Sequence, residues 1–270
     1  MNTNTVYFER HVKSDSRKLI RASELRRKLV QSVTHGKNGY DTCYSYYRVL
    51  NDIMRTETRL KTPILFEWNG YNSTCWKFEK LHILQMLSHW SHEVAVEKSP
   101  KEAKEWFSKA VVFETEMVKC LNSYKWNDPS ISLLPIMNQR FHLSNAFLYA
   151  SDYYFNMYNF KASLVPVKKS YQLLEIASRV WKKREYDQLN RRKALCLKHM
   201  AEELEDDKCG ERVALMEEAM QLCEDDDIKE KYDLWKQQNE SVYYNQVSTD
   251  RTISYLSLHD SIQSLCSIST

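Results

Sequence analysis

Leu65-Phe66-Glu67-Trp68-Asn69-Gly70-Tyr71, followed by Trp76-Lys77-Phe78-Glu79-Lys80, sets the pattern for the whole chain. Pro63 to Trp68 is its best strand candidate: a short apolar and aromatic run that ends at Asn69-Gly70, a dipeptide suited to tight turns. Phe78-Glu79-Lys80 then opens a long amphipathic segment. Over Thr74 to Glu97, Phe78, Leu81, Leu84, Leu87, Val94 and Ala95 recur at helical spacing. The reading is one strand, a turn and the first helix of a helical scaffold.

Towards the N-terminus, Thr5-Val6-Tyr7-Phe8-Glu9 is expected to add a short strand, and a basic helix from Asp15 to Thr34, with Leu19, Ile20, Leu25, Leu29, Val30 and Val33 apolar. His35-Gly36-Lys37-Asn38-Gly39 breaks it. Tyr40 to Thr58 reads as a helix with Cys43, Tyr47, Leu50 and Met54 inward.

Towards the C-terminus the pattern is helical throughout. Ser99-Pro100-Lys101-Glu102 is a helix start: Ser99 caps, Pro100 fits the first position and Glu102 completes a capping box. That helix is expected to reach Tyr124 with Ala103, Trp106, Phe107, Ala110, Phe113, Met117 and Cys120 inward. Asp128-Pro129 opens the next segment, whose regular helix begins at Pro135 and runs to Met157. A break at Tyr158-Asn159 leads to a helix ending near Glu185, and further helices cover Tyr186–Glu205, Gly210–Cys223 and Asp227–Tyr243. Consecutive helices with short connections pack as antiparallel hairpins. The pairs look like tetratricopeptide units, but no self-similarity at ~34 residues makes them a true array. The expected fold is mainly α: a single domain of such hairpins over residues 1–247 with a small N-terminal β element. The Ser/Thr-rich tail, 248–270, still carries Ile253, Leu256, Leu258, Ile262, Leu265 and Ile268, and both disorder and docking onto the body are open for it.

Composition agrees. Only 4 Gly and 5 Pro in 270 residues disfavour sandwiches, barrels and Gly-rich nucleotide loops. A net charge of +3 is too mild to imply nucleic acid. The start has no charged segment leading into an apolar run, and no apolar run approaches the ~20 residues of a membrane span. Seven cysteines, odd in number and without CxxC spacing, read as free thiols in a reducing compartment, so the cytoplasm is expected.

The chain carries no GxxxxGK[ST], GxGxxG or HExxH motif. His89, His92 and Glu93 share a helix face at i, i+3 and i+4, yet no further ligand accompanies them, so no metal and no cofactor are expected. No spacing singles out a nucleophile and base. Basic clusters at Arg17-Lys18, Arg26-Arg27-Lys28, Lys182-Lys183-Arg184 and Arg191-Arg192-Lys193, and acidic ones at Glu202–Asp207 and Glu224–Asp227, are either solvated helix faces or, for the basic ones, a surface for anionic lipid.

Taken in order, several stretches resemble one family. Leu65-Phe66-Glu67-Trp68, Phe78-Glu79-Lys80 with Leu84, the small and aromatic alternation Ala103, Trp106, Phe107, Ala110, and Val242-Tyr243-Tyr244-Asn245-Gln246-Val247 resemble the Bro domain of the Alix type. The resemblance is weakest in the middle, where Asn138-Gln139-Arg140 stands in place of an Ala-Gln-rich helix. It implies a non-enzymatic adaptor for endosomal sorting or membrane remodelling, acting in the cytoplasm and at the endosomal membrane surface. Its partner would be the C-terminal amphipathic helix of an ESCRT-III subunit, laid into a groove on the hairpins. Carried onto this chain, the groove involves Ala150, Ser163, Leu164 and Val167, with Glu97 and Lys101 as charged neighbours. Ala150 and Ser163 are small for that role, and Pro166 requires a helix start close by. The chain is expected to be a stand-alone module, shorter than a typical domain of this type. A helical scaffold for an unrelated partner, and an enzyme whose site assembles only in three dimensions, are the other two readings.

Overall fold

Asn69 and Gly70 both adopt positive φ, 54° and 83°, as the two central residues of a type I′ hairpin turn require. The turn joins β1 (Phe66–Trp68) to β2 (Tyr71–Ser73), paired antiparallel with Phe66 opposite Ser73 and Trp68 opposite Tyr71. The sequence reading missed β2, because Tyr71-Asn72-Ser73 is polar and mostly exposed and so shows no apolar alternation. The period of two puts Phe66 and Trp68 on one face, and both are fully buried.

The computed structural model describes residues 6, 8, 17–35, 39–56, 63–123, 134–182, 186–247 and 257–269. The chain is mainly α, and among the described residues the helical hairpins are accompanied by this one small β-hairpin. It divides into two compact units: Met1–Val94 with Val112–His142, and Ala95–Val111 with Leu143–Thr270.

In the first unit, α1 (Arg17–Thr34) and α2 (Tyr40–Thr56) form a hairpin. α1 buries Leu19, Ala22, Ser23, Arg26 and Leu29, whereas Ile20, expected inward, is 48% exposed. Ser23 and Arg26 displace it because both are hydrogen-bonded inside: the Phe8 amide donates to Ser23 Oγ at 2.9 Å, and Arg26 pairs with Glu79. Phe8 itself is helical, which corrects the strand expected there; most of that stretch lies outside the described residues. α2 buries Cys43, Tyr46, Leu50 and Ile53 fully in the core, and Tyr47 and Met54 pack against it half-buried. α3 (Trp76–Glu97) buries Phe78, Leu81, Leu84 and Leu87 as its spacing predicts. α4 (Pro100–Asn122) starts after Ser99, but not through the expected capping box: Ser99 Oγ donates to Glu102 Oε2 at 2.8 Å, so the two side chains pair with each other, and the Glu102 and Ala103 amides donate to the Ser99 carbonyl.

The regular helix α5 begins at Gln139, not Pro135. Pro135–Met137 is a single 3-10 turn, and the Asn138 side chain accepts from the Arg140 amide at 3.0 Å. The Asp128-Pro129 start lies outside the described residues.

The second unit holds the last three residues of α3, the first half of α4 and most of α5 (Gln139–Lys161). α6 (Leu164–Val180), α7 (Tyr186–Glu202), α8 (Cys209–Leu222) and α9 (Asp226–Gln238) follow; α6 is tied to α5 by the Ser144–Ala177 and Ser151–Ser170 hydrogen bonds, and α7, α8 and α9 each pack on the helix before. α9 is capped by Asp225, whose carboxylate accepts from the Asp227 and Ile228 amides. A π turn, Asn239–Tyr243, ends it. Over residues 257–269 the tail forms a helix, α10 (Leu258–Ser269). Leu265 and Ile268 are buried in one cluster with Val111, Ala146, Phe147, Ala150, Leu173, Ile176 and Ala177, while Ile262 stays 42% exposed.

Candidate partner-binding surface

α5 does not break at Tyr158-Asn159. It continues to Lys161 and stops where Ala162 adopts a left-handed φ of 40°, its amide bonded to the Tyr158 carbonyl at 2.7 Å. Ser163 is extended at the N-cap of α6. Pro166 falls in the first turn of α6, where its missing N–H costs nothing. This sharp corner turns two large apolar side chains outward: Phe160, 59% exposed, and Val165, 75% exposed. Leu164, between them, is half-buried against the core.

A second corner of the same unit lies beside α5. Asn156 Nδ2 donates to the Pro100 carbonyl at 2.6 Å, which ties the start of α4 to a point one turn before Phe160. Val96, 65% exposed, and the exposed Glu97 and Lys101 lie at this corner.

The six residues implied by the resemblance separate into two kinds. Glu97 and Lys101 are exposed, and Ser163 and Leu164 are partly so. Val167 and Ala150 are fully buried, so neither lines a groove. Val167 packs with Tyr171, Leu174, Leu189, Leu197 and Met200; Ala150 lies in the cluster that holds Leu265 and Ile268 of α10. The spacing Leu164, Val167, Tyr171, Leu174 is a core stripe, and spacing alone does not tell a core stripe from a groove stripe. Phe160, Val165 and Val96 were missed. Their signal is an apolar residue beside a helix break, which periodicity treats as noise.

The buried polar clusters serve structure. Glu114 accepts from Ser88 Oγ at 2.8 Å through one oxygen and faces His142 Nδ1 at 2.7 Å through the other. His142 Nε2 faces the Ile136 carbonyl at 2.8 Å, so both ring nitrogens are engaged and neither is aimed at Ser88. A serine, a histidine and a carboxylate thus meet, but with the carboxylate in the middle and the cluster sealed from solvent, unlike a nucleophile–base pair. His89 Nε2 pairs with Glu93 at 3.1 Å. Among the described residues no group of three His, Cys, Asp or Glu side chains is placed to hold a metal ion.

Much of the basic-cluster charge is internally matched. Arg26 is buried with Glu79, Arg192 meets Asp152 at 3.0 Å and Lys193 meets Glu175 at 2.6 Å. Lys183 and Arg184 lie outside the described residues. Among the described residues no helix is long and apolar enough to cross a membrane.

No family model matches the sequence, and no curated protein matches it. Solved structures do. The structure titled "ALIX BRO1 CHMP4C complex" is 12% identical with a TM-score of 0.64, over 95% of this chain and 92% of that one. ALIX in complex with the SIVmac239 PYKEVTEDL late domain is 12% identical with a TM-score of 0.69, over 95% of this chain and 47% of that one. "Structure basis for endosomal targeting by the Bro1 domain" is 13% identical with a TM-score of 0.62, over 99% and 94%. At such identity the likeness is one of fold: the chain has the fold of the Bro domain, as the stretches from Leu65 to Val247 led one to expect.

Proposed function

We propose that the chain is a non-enzymatic adaptor that binds the C-terminal amphipathic helix of an ESCRT-III subunit, in the cytoplasm and at the endosomal membrane surface. The observation that carries this reading is the match along nearly the whole chain to a Bro domain solved with CHMP4C. The apolar corner supports it. Phe160 and Val165 expose large apolar area without a described covering element, and Leu164 adds a half-buried third contact. In this reading the exposed Glu97 and Lys101 are the charged neighbours of the partner helix, and the small Ser163 leaves room for a partner side chain. Val167 and Ala150 contribute only by holding helices α6 and α5 in place. Peripheral contact with anionic membrane belongs to the same reading, supported by exposed cations such as Arg17 and Lys28.

A second reading is a helical scaffold for an unrelated protein. It is favoured by the departures from the expected groove, since the buried Ala150 and Val167 give a partner no surface.

Fluorescence anisotropy with labelled C-terminal peptides of ESCRT-III subunits separates the two. Phe160→Asp and Val165→Asp are expected to weaken binding about tenfold or more, since a carboxylate at a dry contact loses its hydration. Lys101→Ala is expected to do less, acting on association rate. A folded chain that ignores every such peptide supports the unrelated partner.

A further inference from the structure

The α1–α2 hairpin of the first unit carries a cavity of about 500 Å³ that neither the adaptor reading nor the buried clusters explain. Arg21 lines it from α1, and Tyr44, Arg48, Asn51, Asp52 and Arg55 line it from α2. Three guanidinium groups therefore face one carboxylate. That carboxylate is already engaged twice: Lys18 Nζ lies 2.9 Å from one Asp52 oxygen and Arg55 Nη2 lies 3.1 Å from the other. These cations hold the Asp52 carboxyl below its ordinary pKa, the Lys18 hydrogen bond most of all. Arg21 and Arg48 have no hydrogen-bond or ion-pair partner among the described residues.

The hairpin geometry brings those two together. Lys18 meets Asp52, so one turn on along α1 and one turn back along α2 put Arg21 across from Arg48. Two cations that line one cavity repel each other, and an anion between them relieves that repulsion. Arg48 and Arg55 stand two turns apart on α2, about 10 Å of helix rise. Tyr44 and Asn51 add neutral polar residues to the same wall. Guanidinium forks match phosphate oxygens in pairs, and a concave site of this size lies within the roughly 300–1,000 Å³ of small-ligand pockets. A phosphorylated peptide would need an adjoining groove or sheet edge for its backbone, whereas a compact ring with several phosphates fits guanidinia set on two walls.

We propose that this cavity binds a compact anion with two or more phosphate groups, of the multiply phosphorylated inositol class, gripped by Arg21 and Arg48 with Arg55 as the third contact. The proposal does not rest on the adaptor reading. Its lipid-borne form would deepen the membrane contact; its soluble form would be a separate ligand site.

Isothermal titration of the full chain with inositol hexakisphosphate and inositol trisphosphate tests it, alongside co-sedimentation with vesicles carrying phosphatidylinositol bisphosphate or, at matched charge, phosphatidylserine. Arg48→Ala is expected to weaken inositol phosphate binding about tenfold or more, and Arg21→Ala with Arg48→Ala further still. Arg48→Lys keeps the charge but loses the fork, so it should fall between. Lys28→Ala removes an exposed cation of α1 outside the cavity and should leave binding unchanged. Added salt should weaken every arm. Retention on bisphosphate vesicles identifies the lipid source; binding of the soluble compounds alone identifies a free ligand. Affinity unchanged in the folded double variant overturns the proposal. So does equal retention on phosphatidylserine vesicles without soluble binding, which leaves only diffuse membrane contact. Capture of a doubly phosphorylated peptide in place of the inositol phosphates overturns it as well.

Discussion

The Nε of Arg26 lies 2.7 Å from Oε1 of Glu79, with both side chains fully buried and fifty-three residues apart in sequence. Each oxygen of that carboxylate accepts twice. Oε1 also takes the Tyr46 hydroxyl at 2.9 Å, and Oε2 takes the Trp68 indole N–H at 2.5 Å and Arg26 Nη2 at 3.3 Å. The guanidinium lies over the Trp68 and Phe66 rings, 5.2 and 5.9 Å from their centroids. One ion pair thus ties α1, α2, β1 and α3. Burial works against the charged guanidinium, and the fields of Glu79 and Tyr46 outweigh it, leaving the Arg26 pKa raised.

Removing one partner should therefore be severe. Glu79→Ala leaves a buried uncompensated cation and is expected to cost about 3–5 kcal/mol in urea unfolding. Arg26→Met with Glu79→Leu removes both charges and should recover most of that loss. Lys18→Ala, which breaks a pair of 56% and 41% exposed side chains, should cost about 1 kcal/mol or less. A Glu79→Ala variant no worse than Lys18→Ala would mean that the network does not hold the first unit together.

Two glycines should fail for different reasons. Gly70 has open space around a built Cβ but a φ of 83°, so Gly70→Ala is expected to cost about 1–2 kcal/mol of backbone strain. Gly210 has no such φ, but its Cβ would overlap the Gln246 carbonyl oxygen and lie 3.0 Å from Asn245 Cβ. Gly210→Ala must push the 244–247 segment off α8, at about 1–3 kcal/mol. Replacing Gly70 with Asn, which tolerates positive φ, should be milder than Gly70→Ala, whereas Asn at 210 should be worse. Thermal melts of the four variants check the ordering.

Local chemistry was legible where one residue type dictates one conformation. Asn69-Gly70 announced its turn, and Ser99-Pro100-Lys101-Glu102 announced the start of α4. What stayed hidden depends on partners distant in sequence. On α2, Tyr46 and Tyr47 are equivalent by composition, and Tyr46 goes inward because Glu79 waits there for its hydroxyl. On α6, Val167 fits a groove and a core equally well until Leu189 and Leu197 on the next helix cover it. Ser23 and Arg26 read as polar breaks in an apolar face, yet both are buried because each finds a hydrogen-bond partner. Of the proposed binding surface, Glu97 and Lys101 were named from the sequence and are exposed, whereas the outward Phe160 and Val165 follow from the left-handed Ala162, which no spacing signals.

His82 should make stability depend on pH. Its ring stacks on Trp68 at 5.6 Å between centroids, and Nδ1 lies 2.9 Å from the Phe78 carbonyl. Burial pushes its pKa below the ordinary histidine value, against the raising effect of the Phe78 bond. The unfolded chain takes up the proton near pH 6.5, while the folded chain resists until lower pH. Across that interval the unfolded state binds more protons, so stability is present above about pH 6.5 and is lost as pH falls towards the folded pKa. His82→Gln cannot take up the proton, so its denaturation midpoint should fall less than that of the wild type between about pH 7.5 and 5.5. Parallel curves would show that other groups carry the whole acid response.

The C-terminal helix should behave as core. Ser257 caps α10, donating to Asp260 Oδ2 at 2.6 Å and accepting from the Asp260 amide at 3.1 Å. Ser108 Oγ donates to the Ile268 carbonyl at 2.7 Å, and Lys169 Nζ donates to Ser264 Oγ at 2.7 Å. Burial lowers the Lys169 pKa despite the nearby Asp260. Leu265 is 1% exposed and Ile268 6%. Leu265→Ala removes buried methyl groups from a packed cluster and should cost about 2–5 kcal/mol, while Ile262→Ala, on the exposed side, should stay within about 0.5 kcal/mol. Truncation before Ser257 should uncover the apolar cluster around Ala150, Phe147 and Leu173 and raise the binding of an apolar dye. Hydrogen exchange supplies the opposing outcome. If α10 amides exchange freely while those of α5 and α6 stay protected, the helix opens by itself, and Leu265→Ala should then leave the unfolding of the rest of the chain unchanged.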